Sequence, residues 1–265
     1  MNFKQGKTLN LGLIDYKPFL DKYKKFEDSF NDAYIGIPKS LTGSEHFYGS
    51  LRLAKEEIPE TLAQKNNLKS IMYMEGSGPF SKGETFRKWI VEAGYVFFSP
   101  HSYASKDRPK YVSPIPKENY EEIHAYRQAE ITLFIDKLSK VPFINKEHMF
   151  LMGNSEGGLA AARYNGKEFK GRIVLSYSCE PGYYSDYAII GAHFNDDPFL
   201  NIMGRDDAFF GAHNVWNRAY QNKGHAADAL FRFKNAKVVI LPNTGHDVMS
   251  NQFTKEEIIS FINRF

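Results

Sequence analysis

Short apolar runs alternate with amphipathic stretches along most of this chain, the pattern of parallel strands joined by crossover helices. The clearest runs are Ser70 to Met74, Tyr95 to Ser99, His148 to Met152, Arg172 to Tyr177, Phe199 to Met203 and Lys237 to Leu241. Between them, Glu84 to Ala93 predicts a helix closed by Gly94. Tyr120 to Leu138 predicts a longer one with apolar positions at Ile123, Tyr126, Ile131, Phe134, Ile135 and Leu138. Lys255 to Phe265 repeats the amphipathic pattern at the end of the chain. The expected architecture is α/β, with a mostly parallel central sheet and helices on both faces.

Residues 1–68 are the least patterned. Ala33 to Ile37 reads as a strand and Lys17 to Phe30 as a helix or an arm, and this N-terminal segment is expected to share one domain with the core, residues 69–265. Two loops are long for an α/β unit, Pro100 to Asn119 and Glu180 to Pro198, and both follow the C-terminal ends of predicted strands. Open α/β sheets place their ligand sites there. The loop aromatics Tyr103, Tyr111, Tyr183, Tyr184, Tyr187 and Phe194 either wall a pocket or pack on the domain's own surface.

Composition narrows the partners. The 265 residues are 42% hydrophobic and 25% charged, ordinary for a soluble globular protein with a well-buried core. A net charge of +3, with basic residues interspersed among acidic ones, gives no nucleic-acid footprint. Cys179 is the one cysteine, which excludes an intramolecular disulfide and a cysteine-based metal site. No stretch has the length of a membrane span and Met1 to Lys7 lacks a secretory apolar region, so a cytoplasmic location is the default expectation.

The most informative chemistry lies at Gly153-Asn154-Ser155-Glu156-Gly157, between a predicted strand and the helix-forming run Gly158 to Arg163. Strand, sharp turn with a serine, then helix is the nucleophile-elbow arrangement, in which both glycines are required because strand and helix approach closely. A serine nucleophile needs a base, a group to orient that base, and NH donors for the oxyanion. His246 follows the last predicted strand and precedes the last helix, the position expected of the base. The strand Phe199 to Met203 leads into Gly204-Arg205-Asp206-Asp207. Asp207 is the expected orienting acid on the Gly-x-x-Asp spacing, with Asp206 the alternative. The expected oxyanion donors are the backbone NH groups of Glu156 and of Ser77, the latter in the glycine-rich loop Glu75 to Pro79.

The segments Tyr73 to Gly78, Gly94 to Tyr103 with Asp107-Arg108-Pro109, Gly153 to Gly158, Gly204 to Asp207 and Gly245-His246 together resemble the dienelactone hydrolase family of α/β-hydrolases, over about residues 68–265. The resemblance implies an α/β-hydrolase fold and a carboxylic-ester hydrolase. It would work through Ser155, His246 and Asp207 and an acyl-enzyme, on a small-molecule acyl substrate and with no metal or organic cofactor. Two departures bear on substrate. Members acting on dienelactone carry a cysteine nucleophile where Ser155 stands, and Glu75 replaces the histidine that commonly precedes the oxyanion-loop glycine. A carboxylate near an oxyanion site is expected to pair with a cation such as Arg108 or Arg163, to take a proton, or to meet a cationic substrate. Glu75, Tyr103, Tyr183 and Phe209 are the candidate substrate contacts. The same triad serves peptidases, thioesterases and acyltransferases, and a non-catalytic binding protein on this scaffold is the reading from another class. Oligomeric state is not legible in the sequence.

Overall fold

Alternate residues of the run Ser70–Met74 are buried in two different cores: Met72 and Met74 in one, Ile71 and Tyr73 in the other. Side chains of a strand alternate between faces, so this split requires apolar cover on both sides of the sheet. In the computed structural model, which describes residues 26–59, 68–78, 80, 83–185, 190–192 and 197–265, that cover is present. Among the described residues, eight strands form one sheet: β1 (Tyr34–Ile37), β2 (Phe47–Ser50), β3 (Ser70–Met74), β4 (Val96–Ser99), β5 (Met149–Asn154), β6 (Arg172–Leu175), β7 (Phe199–Gly204) and β8 (Ala236–Leu241). Their order is β2-β1-β4-β3-β5-β6-β7-β8. β1 is antiparallel to β2 and β4, and every other pairing is parallel.

Among the described residues the α-helices are α1 (Glu27–Asn31), α2 (Lys39–Thr42), α3 (Leu51–Glu57), α4 (Gly83–Glu92), α5 (Lys117–Leu138), α6 (Glu156–Arg163) and α7 (Gln252–Arg264). One face of the sheet packs against α1, α3, α5 and α6 through residues such as Phe30, Leu51, Phe134 and Leu159. The other packs against α4 and α7 through Phe86, Ile90, Ile258 and Phe261. The expected mostly parallel sheet with helices on both faces is therefore what the chain forms.

Each of the six strands read from the core sequence is present, with ends shifted by a residue or two. The run Arg172 to Tyr177 stops at Leu175, because Ser176 takes φ 51° and turns the chain out of the sheet. In the N-terminal segment, β1 falls within the expected Ala33 to Ile37, whereas β2 and α3 were not foreseen. β2 lies at the sheet edge, half-buried throughout and interrupted by Gly49, so it carries no apolar run. Of Lys17 to Phe30, the residues before Phe26 lie outside those described, and Glu27 onward is helical. The loop from Pro100 holds a short 3-10 turn at Ser102–Ala104 before α5 begins at Lys117. Parallel alignment of β3 and β5 to β8 brings the chain following each of them to the same sheet edge.

Candidate active site

β5 ends in a sharp turn at Ser155, whose φ of 55° and ψ of −118° are unfavourable for any residue with a side chain. The strain is held by flanking hydrogen bonds: Ser155 NH donates to Leu175 O at 2.9 Å, and Leu159 NH to Ser155 O at 2.9 Å. Steric need for the two glycines is direct. A Cβ on Gly153 would sit 2.1 Å from Gly157 O, and one on Gly157 would sit 2.0 Å from Met74 O. Ser155 is thus presented at the sheet edge, against the loop after β3, where a Cβ on Gly76 would lie 3.4 Å from that of Ser155.

β7 and β8 supply the other two groups. His246 Nδ1 lies 2.8 Å from Asp207 Oδ2. The second oxygen, Asp207 Oδ1, accepts from the NH groups of Phe209 at 2.7 Å and Phe210 at 2.9 Å. An acceptor-only carboxylate puts the ring proton on Nδ1 and leaves Nε2 as the proton acceptor. The His246 carbonyl is fixed by the Ser176 hydroxyl at 2.7 Å, and its ring packs edge-on to Phe209 at 4.6 Å between centroids. Asp206 faces away, with its side chain 54% exposed beside Arg205. Of the two adjacent acids, only Asp207 is bonded to His246.

Ser155 and His246 line one cavity of about 140 Å³, together with Ser77, Glu156, Phe209, Phe210, Tyr111, Ser113, Tyr120, His124 and Tyr184. Ser77 and Glu156 thus line the same cavity as the serine. Glu156 also opens α6, where the first NH groups have no carbonyl partner inside the helix. Three expected substrate contacts do not line this cavity. Tyr103 donates its hydroxyl to Ser77 O outside it. Tyr183 is drawn aside by Asn217, Ile115 O and the Trp216 ring. Glu75 is buried beneath the loop. Phe209 does line the cavity, and Tyr187 and Phe194 lie outside the described residues.

Neither cation expected to pair with Glu75 does so. Arg163 is held by Glu121 and the Ser185 hydroxyl, and Arg108 Nη2 donates to Glu156 Oε1 at 2.9 Å. The Glu75 carboxyl oxygens have no hydrogen-bond partner among the described residues. Burial, opposed by Arg127, pushes this carboxyl up to about 8, so it carries a proton at neutral pH. Charge counting gives the reason. Among the described residues, Glu75, Glu130 and Glu156 share a buried cluster with the two guanidiniums of Arg108 and Arg127. Glu130 is satisfied by the Ser29 and Ser102 hydroxyls and by Arg127 Nε at 3.4 Å. Burial alone would raise Glu156, but Arg108, Arg127 and the Tyr111 hydroxyl hold it below the usual carboxylate range. The leftover acid is Glu75.

His124 is the other feature that the sequence reading passed over. Its Nε2 donates to Tyr184 O at 2.7 Å, and burial, reinforced by Arg163, pushes its pKa down to about 4, so it is neutral. A signal for the buried charges was present: Arg127 and Glu130 stand one turn from Ile123, Tyr126 and Phe134 on the apolar stripe of α5. Among the described residues, no group of three or more His, Cys, Asp or Glu is placed to hold a metal ion. No described helix is long and apolar enough to cross a membrane.

No protein-family model matches the sequence, and no curated protein matches it significantly. Solved structures do resemble it. A ferulic acid esterase from the anaerobic fungus Anaeromyces mucronatus is 16% identical with a TM-score of 0.53, over 75% of this chain and 79% of that one. Esterase 2 of Thermogutta terrifontis, phosphonylated by cyclosarin, is 15% identical with a TM-score of 0.53, over 88% of each chain. Est1E from Butyrivibrio proteoclasticus is 15% identical with a TM-score of 0.51, over 88% of this chain and 93% of that one. With the eight-stranded mostly parallel sheet and its helices on both faces, these likenesses give the chain the α/β-hydrolase fold.

Proposed function

We propose that this chain is a serine hydrolase that cleaves a small carboxylic ester, of the dienelactone hydrolase-like kind that its motifs suggest. The observation that carries the reading is the 2.8 Å contact of His246 with the buried Asp207, with that imidazole lining the same cavity as the strained Ser155. In the reaction, His246 Nε2 takes the hydroxyl proton as Ser155 Oγ attacks the ester carbonyl. Asp207 keeps the ring oriented and favours its cation. The oxyanion is met by the NH groups of Glu156 and Ser77, each worth about 3 kcal/mol in the transition state. Collapse expels the alcohol, which takes its proton from His246, and the same imidazole then activates water against the acyl-enzyme.

Size limits the part of the substrate held inside. A cavity of about 140 Å³ matches one that admits a single benzene ring, so the inserted group is a short acyl chain or one ring. Esterase activity among the structural neighbours agrees with this reading. The test is labelling with a fluorophosphonate probe, alongside turnover of aryl esters graded by acyl length. Wild-type protein is expected to label and to favour short acyl groups, and Ser155→Ala and His246→Ala to lose labelling. Folded wild-type protein that neither labels nor hydrolyses any ester would sink the proposal.

A further inference from the structure

The loop that brings Ser77 to the nucleophile has glycine at 76 and 78, and neither residue restricts the peptide planes around it. Those planes are nevertheless pinned by side chains. Arg127 Nη2 donates to Glu75 O at 3.0 Å, fixing the peptide unit before the one that carries the Ser77 NH. The Tyr103 hydroxyl donates to Ser77 O, fixing the unit after it. Both pins lead back to one group. Arg127 Nη1 lies 3.4 Å from Glu156 Oε1, and Arg108 Nη2 donates to that same oxygen while its guanidinium lies 4.4 Å from the centre of the Tyr103 ring. Glu156 Oε2 accepts from the Tyr111 hydroxyl at 2.5 Å.

We propose that the Glu156 carboxylate is a positioning group: through Arg127, and through Arg108 with Tyr103, it holds the Ser77 peptide opposite the Glu156 peptide. One residue would then supply one oxyanion donor from its backbone and the anchor of the other donor from its side chain. The inference rests on the hydrolase reading above and adds to it the means by which two separate segments keep their spacing. An oxyanion exists only in the transition state and the tetrahedral intermediate, so loosening this anchor falls on kcat and leaves KM nearly unchanged. A network that merely tied α5 to the sheet would change thermal stability without that signature.

The experiment uses Arg127→Lys, which keeps the buried charge but loses the fork, and Tyr103→Phe, which deletes one hydrogen bond from a ring that is 42% exposed. For each, kcat and KM are measured on a short-chain aryl ester, with the inhibition constant of an aryl trifluoromethyl ketone. With the ketone, Ser155 Oγ bonds to the carbonyl carbon, the C=O π pair becomes an oxyanion, and the hydroxyl proton passes to His246. This reports the oxyanion site directly. Arg127→Lys is expected to lower kcat about 10- to 100-fold and Tyr103→Phe about 3- to 10-fold, with KM within about threefold. Ketone affinity is expected to weaken in step with kcat. If both variants keep kcat and ketone affinity within about twofold of wild type, in protein whose labelling still requires Ser155, the anchor is refuted. Should Arg127→Lys fail to fold, Tyr103→Phe decides by the same criterion. Ester turnover that survives Ser155→Ala would overturn the hydrolase reading and this inference together.

Discussion

Asp207 uses its two oxygens for two different purposes, one toward His246 and one toward the NH groups of Phe209 and Phe210. Replacement by asparagine leaves a side chain that can present NH2 to the ring and so favour the wrong tautomer. Asp207→Asn is therefore expected to cut kcat by on the order of 10³- to 10⁴-fold. Asp206→Asn, at an exposed side chain, should change it by less than about threefold. Steady-state rates on one aryl ester check both, and the reverse order would move the orienting role to Asp206. At this scale the sequence was readable where spacing along the chain determines position: the elbow glycines, the serine and the Gly-x-x-Asp step all concern neighbours within a few residues. Glu75 was harder. A cationic partner was one expectation and a proton another, and the choice depended on Arg108 and Arg127 having already been claimed by Glu156 and Glu130. Such allocation happens across the fold and leaves no local trace.

Helix α5 shows the same limit among elements. Its apolar positions predicted its existence and its C-terminal end at Leu138, yet its centre buries Arg127, Gln128 and Glu130 as completely as Phe134. Periodicity puts Arg127 and Glu130 on the buried stripe but cannot show what makes their charges tolerable, because those groups come from α1, the loop after β4 and the head of α6. Removing Glu130 takes the acceptor from the Ser29 and Ser102 hydroxyls and the adjacent carboxylate from Arg127, in a place water does not reach. Glu130→Ala is expected to destabilise the protein by about 3–5 kcal/mol, with an unchanged dependence on denaturant, read from urea unfolding. A loss below about 1 kcal/mol would mean that the cluster relaxes or hydrates on its own. β2 and α3 escaped notice for a different reason: half-buried edge residues around Gly49 give no hydrophobic run to read.

Across the whole molecule, the cluster makes stability depend on pH through Glu75. Its carboxyl titrates near 4.5 when unfolded and at about 8 when folded, chiefly because burial disfavours the charged form. A raised folded pKa contributes stability that is fully present below pH 4.5 and is lost progressively as pH rises to about 8, since only the unfolded chain ionises freely in that window. Glu75→Gln removes the ionisation, so the melting temperature of wild type minus variant is expected to fall between pH 5 and 8 and then level off. Parallel curves for the two proteins would show that Glu75 is charged in the folded state. Three acids facing two guanidiniums thus have a consequence for assembly itself. Near neutrality the Glu75 carboxyl takes up a hydrogen ion from the solvent as the chain closes around it, while burial of His124 gives part of one back. The heat of refolding should accordingly change between buffers in proportion to their enthalpies of ionisation.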